Sequence, residues 1–207
     1  MHVGLTGPAQ AIYTIYTPLC HQFAFRSWFL FGEQPAYPRA AANVTDLKPY
    51  EAYSTDVNQG SPSPINLADW TQSMQLLSKS FIGDQRMGYK VAICERDIGI
   101  YGALFLGGLV FAIPYVRRRL RPVPLWLYFL LGIAPIGIDG FGQLLSEPPF
   151  SLWAVRETTP FFRTLTGVLF GLMNAWLALP YLEQSAHEVA DEIQAKFDKR
   201  RQREQSE

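Results

Sequence analysis

The sequence predicts an all-α fold, a polytopic membrane helix bundle, on three observations. Three long apolar runs follow one another, basic residues gather between and after them, and the polar residues in or beside the runs fall toward one membrane face. The chain has 207 residues, 48% hydrophobic, 14% aromatic and only 17% charged, a charge fraction low for a soluble domain of that length. Mean hydropathy is only +0.01 because a polar loop and a polar tail offset the runs. A net charge of +0 gives no electrostatic footprint for nucleic acid, so no nucleic-acid partner is expected. Two cysteines, Cys20 and Cys94, are too few for a disulfide-dense scaffold. The first residues lack a basic stretch leading into a compact apolar core, so no cleavable signal peptide is expected.

The stretch from Val3 to Gly32 is aromatic and nearly uncharged, but Gly4, Gly7, Pro8 and Pro18 weaken any helix using all of it. It is expected to be a membrane-associated helix or a fourth span, its beginning cut short, bringing Cys20 to Arg26 to the outer face. The first full span is Ile98 to Val116, without a charge; the second is Pro124 to Leu145, charged only at Asp139; the third is Phe161 to Leu182, charged only at Arg163. Each offers about the 20 apolar residues that a 30 Å hydrocarbon core requires. Pro135, among Gly132, Gly137 and Gly140, is expected to kink the second. Small residues four apart, Gly99, Ala103 and Gly107 on the first span and Gly167, Gly171 and Ala175 on the third, predict close backbone packing.

Orientation follows from Arg117, Arg118, Arg119 and Arg121 in the first short link and from Lys196, Lys199, Arg200, Arg201 and Arg203 in the tail. Alternation puts both groups on one side, which the positive-inside rule makes cytoplasmic. The loop 33–97 and the link 146–160 are then extracytoplasmic, and the protein is a multi-pass component of the cell membrane with membrane lipid as a partner. In the loop, Asn66 is read as the N-cap of a short amphipathic helix whose Leu67, Trp70, Met74, Leu77 and Phe81 cover the bundle mouth or the lipid surface. The membrane domain is expected over 1–182. A charged cytoplasmic helical tail follows over 183–207, with Leu182, Val189, Ile193 and Phe197 as a thin seam for a protein partner.

Placed on this topology, the unusual residues converge outside. Cys20, His21, Gln22 and Arg26 end the N-terminal helix; Cys94, Arg96, Asp97 and Tyr101 start the first span; Asp139 and Gln143 lie in the outer half of the second; Arg156 and Arg163 flank the start of the third. Ionisable groups inside a span are costly and mark pockets, pathways or ion pairs. At these residues the chain resembles a known family. Cys20-His21-Gln22 with Arg26-Ser27, Cys94 with Arg96-Asp97-Ile98-Gly99-Ile100-Tyr101-Gly102, Asp139-Gly140 with Gln143, and Arg163 with Thr166-Gly167 are similar to domain of unknown function 2085. The resemblance implies a prokaryotic integral membrane protein and brings no established activity. The family carries a longer apolar lead before Cys-His-Gln and a shorter insertion before Cys94.

Several chemistries stay open. Cys20 and Cys94 are read first as a structural disulfide, with a metal site together with His21, thiol-redox exchange, or two unconnected buried thiols as alternatives. Asp139 is expected to pair with Arg163, with Arg96 and Tyr101 as reserves. Hydrolase, phosphate-loop, zinc-protease and haem-attachment motifs are absent from the sequence, so it names neither a reaction nor a cofactor. Two functions follow: a non-enzymatic component that binds lipid or a partner subunit through the outer-face cluster, or a membrane redox or metal-dependent enzyme that uses it. One concave pocket lined by these side chains would favour the enzyme; scattered pairs would favour the non-enzymatic component.

Overall fold

The computed structural model describes residues 6–18, 20–59, 61 and 63–206, so Val3 and Gly4 of the N-terminal stretch and Pro62 of the loop lie outside the described residues. The chain is mostly helical. Helix α1 (Thr6–Tyr16) has 11 residues, too few to cross a bilayer. A region of short turns and strands follows, with helices α2 (Ser54–Val57) and α3 (Gln72–Ser80). Then come α4 (Glu95–Phe111), α5 (Pro114–Arg117), α6 (Leu125–Leu127), α7 (Ala134–Ser146) and the 47-residue α8 (Pro160–Ser206).

Local chemistry sets these boundaries. Glu95 and Asp97 occupy the first turn of α4, where carboxylates favour the positive end of the helix dipole. The helix ends at Phe111 because Pro114 lacks the N–H to continue it, and Pro114 instead opens α5. At 17 residues, or about 26 Å, α4 alone falls short of a full span. Two helices are long and apolar enough to cross a membrane: the continuous Leu125–Ser146, and α8 over Pro160–Gln202. The disturbance expected at Pro135 takes the form of a π-helical stretch, Tyr128–Ile133, joining α6 to α7. Its wider turn accommodates the missing N–H and the bulk of the proline ring. The charged residues after Leu182 continue α8 itself, past Pro180, and Leu182, Val189, Ile193 and Phe197 are exposed along it.

Helices α4 and α8 pack through the small residues that the sequence singled out. A Cβ on Gly99 would lie 2.4 Å from the Thr164 carbonyl oxygen, and one on Gly167 would lie 2.3 Å from that of Arg96. A Cβ on Gly171 would meet the Ile100 carbonyl oxygen at 2.4 Å and the Ala103 Cβ at 2.9 Å; one on Gly107 would meet the Ala175 Cβ at 2.6 Å. The two backbones therefore touch along a ladder of small residues. Away from this seam, Phe105, Leu106, Trp126, Phe129, Ile138, Phe141, Phe161 and Phe162 are all more than half exposed. An apolar belt of that extent is out of place against water.

The region before α4 corrects two expectations. It is not purely helical: β1 (Phe29–Leu30), β2 (Gly83–Asp84) and β3 (Gly88–Lys90) form an antiparallel sheet in the order β1-β3-β2, with Phe29 opposite Lys90 and Gly83 opposite Tyr89. Gly88, at φ +79°, makes the turn that lets β3 lie against β1, and a Cβ there would sit 2.4 Å from the Leu30 carbonyl oxygen. Nor does the amphipathic stripe cover the bundle mouth or lipid. Leu67 and Met74 are buried, and Trp70, Leu77 and Phe81 pack against a core that includes Phe25, Phe29, Tyr37, Tyr50, Tyr53 and Met87. The region thus carries its own aromatic core and forms a small cap. The N-cap of α3 is Thr71, whose hydroxyl accepts the Met74 N–H at 3.2 Å, while Asn66 instead closes a turn by accepting the Ala68 N–H.

Candidate functional site

Where the cap meets the start of α4, the end of α7 and the start of α8, two adjoining cavities of about 180 Å³ and 330 Å³ share His21, Phe23, Arg26 and Arg96 in their walls. The smaller is also lined by Cys20, Gln22, Cys94, Asp97 and Arg163. The larger reaches Gln143 and Glu147. Nine of the twelve residues singled out in the sequence line this one cleft, and Asp139 lies directly behind it, bonded to Arg96. Tyr101 is half exposed on α4 and Arg156 is exposed, with only its backbone N–H tied to Ser146 Oγ at 3.1 Å; the structure brings neither into the cluster.

One corner is sulfur and carboxylate. Cys20 is held where α1 turns into the cap: the Gln22 N–H donates to its sulfur at 3.4 Å, and the Gln22 side chain donates to the Tyr13 carbonyl at 2.9 Å. Cys94 stands at the N-cap of α4, and one turn on, Asp97 accepts its thiol proton at 3.1 Å. The expected disulfide is not formed. Both thiols are free, and Cys20 Sγ, Cys94 Sγ and an Asp97 oxygen lie within 4.8 Å of one another, whereas a bonded pair needs about 2.05 Å. Hydrogen bonding from Cys94 pulls the Cys20 pKa below its ordinary value despite burial, while the same bond and burial push that of Cys94 up. The metal set read from the sequence is corrected as well: His21 is exposed with its ring stacked on Phe23 at 5.4 Å, and Asp97 takes its place beside the two sulfurs.

Lys90 braces this corner from below. Its ammonium, almost fully buried, donates to the carbonyls of Gln22 and Lys79 at 2.7 Å each and of Ser78 at 3.3 Å. Burial pushes its pKa down to about 7, and the neighbouring Cys20 sulfur acts against that push.

The rest of the site is a chain of ion pairs. Glu157, in the link before α8, takes two hydrogen bonds from Arg26, Nε at 2.8 Å and Nη2 at 3.0 Å, and a third from Arg163. Arg163 Nε stands 3.5 Å from Glu95, and Arg163 Nη2 donates to Gln143 Oε1 at 3.2 Å. Gln143 donates in turn to Thr158, whose hydroxyl donates to Asp139, and Asp139 binds Arg96. The expected Asp139–Arg163 pair is therefore not made: Glu157 and Glu95 occupy Arg163, and Arg96, one of the reserves, reaches Asp139. Alongside, Arg39 donates to Glu147 at 3.1 Å, and Trp70 lies between the guanidiniums of Arg26 (5.5 Å) and Arg39 (5.1 Å). Four arginines thus face Glu157, Glu95, Asp139 and Glu147, and Glu51 stands 3.8 Å from Arg39 Nε as a fifth carboxylate. Glu95 Oε1, Arg96 Nε and Arg163 Nε are buried without a hydrogen-bond partner among the described residues.

Glu95, Glu157, Thr158, Lys90, Arg39 and Glu147 escaped the sequence reading. A charge account of the outer segments points to two of them, since Glu147 and Glu157 are the only acids in the link 146–160 that could match Arg26 and Arg39. Asp139→Asn is expected to lower the melting temperature by leaving Arg96 unmatched, and adding Arg96→Gln is expected to restore much of it. Rescue by Arg163→Gln in place of Arg96→Gln would contradict the observed pairing.

Comparison with known proteins adds one decisive match. A family model described as a predicted membrane protein, domain of unknown function 2085, covers residues 75–177. This segment belongs to that family. The domain of unknown function 2085 thus contains three of the four motifs described above, those around Cys94, Asp139 and Arg163, while the Cys20-His21-Gln22 motif lies before it. An uncharacterized protein of Methanocaldococcus jannaschii is 27% identical over 94 residues, which are 45% of this chain and 54% of that relative. The chain therefore matches about half the length of that curated relative. No solved structure matches.

Proposed function

We propose that the protein is a three-span component of the cell membrane whose outward-facing cleft binds a small polar ligand. The spans are α4 with α5, the continuous α6–α7 segment, and α8 to about Leu182; residues 33–97 are extracytoplasmic and the C-terminal tail is cytoplasmic. The basic residues between α5 and α6 and at the end of α8 support this orientation, as does the apolar belt between them and the cleft. The convergence of Cys20, Cys94 and Asp97 on a cavity walled by His21, Arg26, Arg96 and Arg163 carries the binding reading. Scattered structural ion pairs would not leave a shared concavity with unpartnered polar atoms beside it.

The test uses the two cysteines, which are the only ones in the chain. A membrane-impermeant thiol reagent applied together with a metal chelator to intact cells, with the outer envelope permeabilised where there is one, is expected to label the protein, and reporter fusions at residues 61–64 are expected to read as extracytoplasmic. Labelling confined to lysed cells, or a cytoplasmic signal from the 61–64 fusion, would overturn the orientation and the outward-facing cleft with it.

A further inference from the structure

We infer that Cys20, Cys94 and Asp97 form a zinc site, with the fourth coordination position opening on the cavity beneath His21. The donor set is two sulfurs and one carboxylate oxygen, which suits a borderline-soft cation such as Zn²⁺ rather than Mg²⁺ or Ca²⁺. In a tetrahedral site with metal–sulfur bonds of about 2.3 Å, the donor atoms stand about 3.5–3.8 Å apart. Cys94 Sγ and the Asp97 oxygen are already at 3.1 Å, and all three atoms are within 4.8 Å, so closure needs shifts of about 1 Å at most.

The surroundings are those of a metal thiolate. The Gln22 N–H donates to the Cys20 sulfur, Lys90 clamps the same loop through the Gln22 carbonyl, and Cys94 and Asp97 are fixed one turn apart at the start of α4. A simple disulfide would use the two sulfurs and leave Asp97, now the acceptor of a thiol proton, without that partner. Three protein ligands and an open fourth position are also the arrangement by which zinc holds an exchangeable water or small ligand. Arg163, whose Nε faces Glu95 at 3.5 Å, also lines this cavity and supplies positive charge beside that position. On binding, both thiols release their protons to solvent and no electron is transferred.

Zinc here presupposes the outward-facing cleft proposed above, yet the two can fail separately: labelling in cells probes the cleft, and metal binding by purified protein probes the ligands. Wild-type protein purified in detergent without chelator is expected to contain one zinc per chain. Its thiols should resist alkylation until a chelator is added, and cobalt(II) in place of zinc should give the intense visible bands of a tetrahedral thiolate site. Asp97→Asn is expected to weaken zinc binding by at least the roughly 10- to 100-fold that loss of an outer-sphere partner costs. Thiols that alkylate freely without chelator, an intact Cys20–Cys94 disulfide, or zinc binding unchanged in Asp97→Asn would each overturn the site. All but the last are read on wild-type protein, so a misfolded variant cannot obscure the result.

Discussion

Replacing Glu157 by Gln is expected to cost about 3–5 kcal/mol of stability, the range found when one member of a buried ion pair is removed. The Glu157 side chain is 1% exposed and receives hydrogen bonds from both Arg26 and Arg163. In the variant Glu95 still stands 3.5 Å from Arg163, so the cation left without an acid is Arg26. Adding Arg26→Gln is therefore expected to recover a good part of the loss. Thermal unfolding in detergent reads both effects. A loss below about 1 kcal/mol, the scale of an exposed pair, would show that the network is open to water. The same residue sets an acid limit. Burial raises the Glu157 pKa, but the charges of Arg26 and Arg163 outweigh it and hold the carboxyl below its ordinary 4.5. Its contribution is then fully present above about pH 4.5 and is lost as pH falls through the lower folded-state value. Melting temperature should drop in that window for the wild type and less steeply for Glu157→Gln.

Gly167→Val is expected to cost about 3 kcal/mol, the upper end of the usual range for overpacking. Its Cβ would fall 2.3 Å from the Arg96 carbonyl oxygen, a backbone atom that cannot rotate away, so α4 and α8 must separate. Separation would also draw Arg96 away from Asp139 and Arg163 away from Glu95. Gly102→Ala is the control: it lies on the partner helix α4 away from the seam, with nothing within 4 Å of the new Cβ, and little change is expected. A Gly167→Val protein that melts like the wild type would mean that the two helices do not touch at this point.

The helices and their seam were legible because their signals are local. An uninterrupted run such as Leu125–Ser146 needs no partner to be recognised, and small residues at four-residue spacing point to one face whatever they pack against. The strands were not legible: at two or three residues each they are too short for alternation to register. Leu67, Trp70, Met74, Leu77 and Phe81 showed their helical stripe, but a stripe does not say whether lipid, bundle or a private aromatic core will cover it. At the site, the residue types that gather could be read, whereas their pairings could not. Asp139 could be placed near both Arg96 and Arg163, and what decided between them was Glu157. That residue lies in a link without regular structure, where no period fixes the direction of a side chain.

The ion-pair network also orders the making of the protein. Arg26 and Glu157 are 131 residues apart in sequence, and Arg39 and Glu147 are 108 apart. The aromatic core of the cap, by contrast, lies entirely between Phe23 and Met87. During synthesis the cap can condense as soon as residue 90 is available, but its arginines find their acids only after the link 146–160 and the start of α8 have been made. Docking of cap on bundle is therefore the closing event of biogenesis. A ribosome that stalls before the link 146–160 leaves a folded cap tethered to α4, with Arg26 and Arg39 open to water and to proteases.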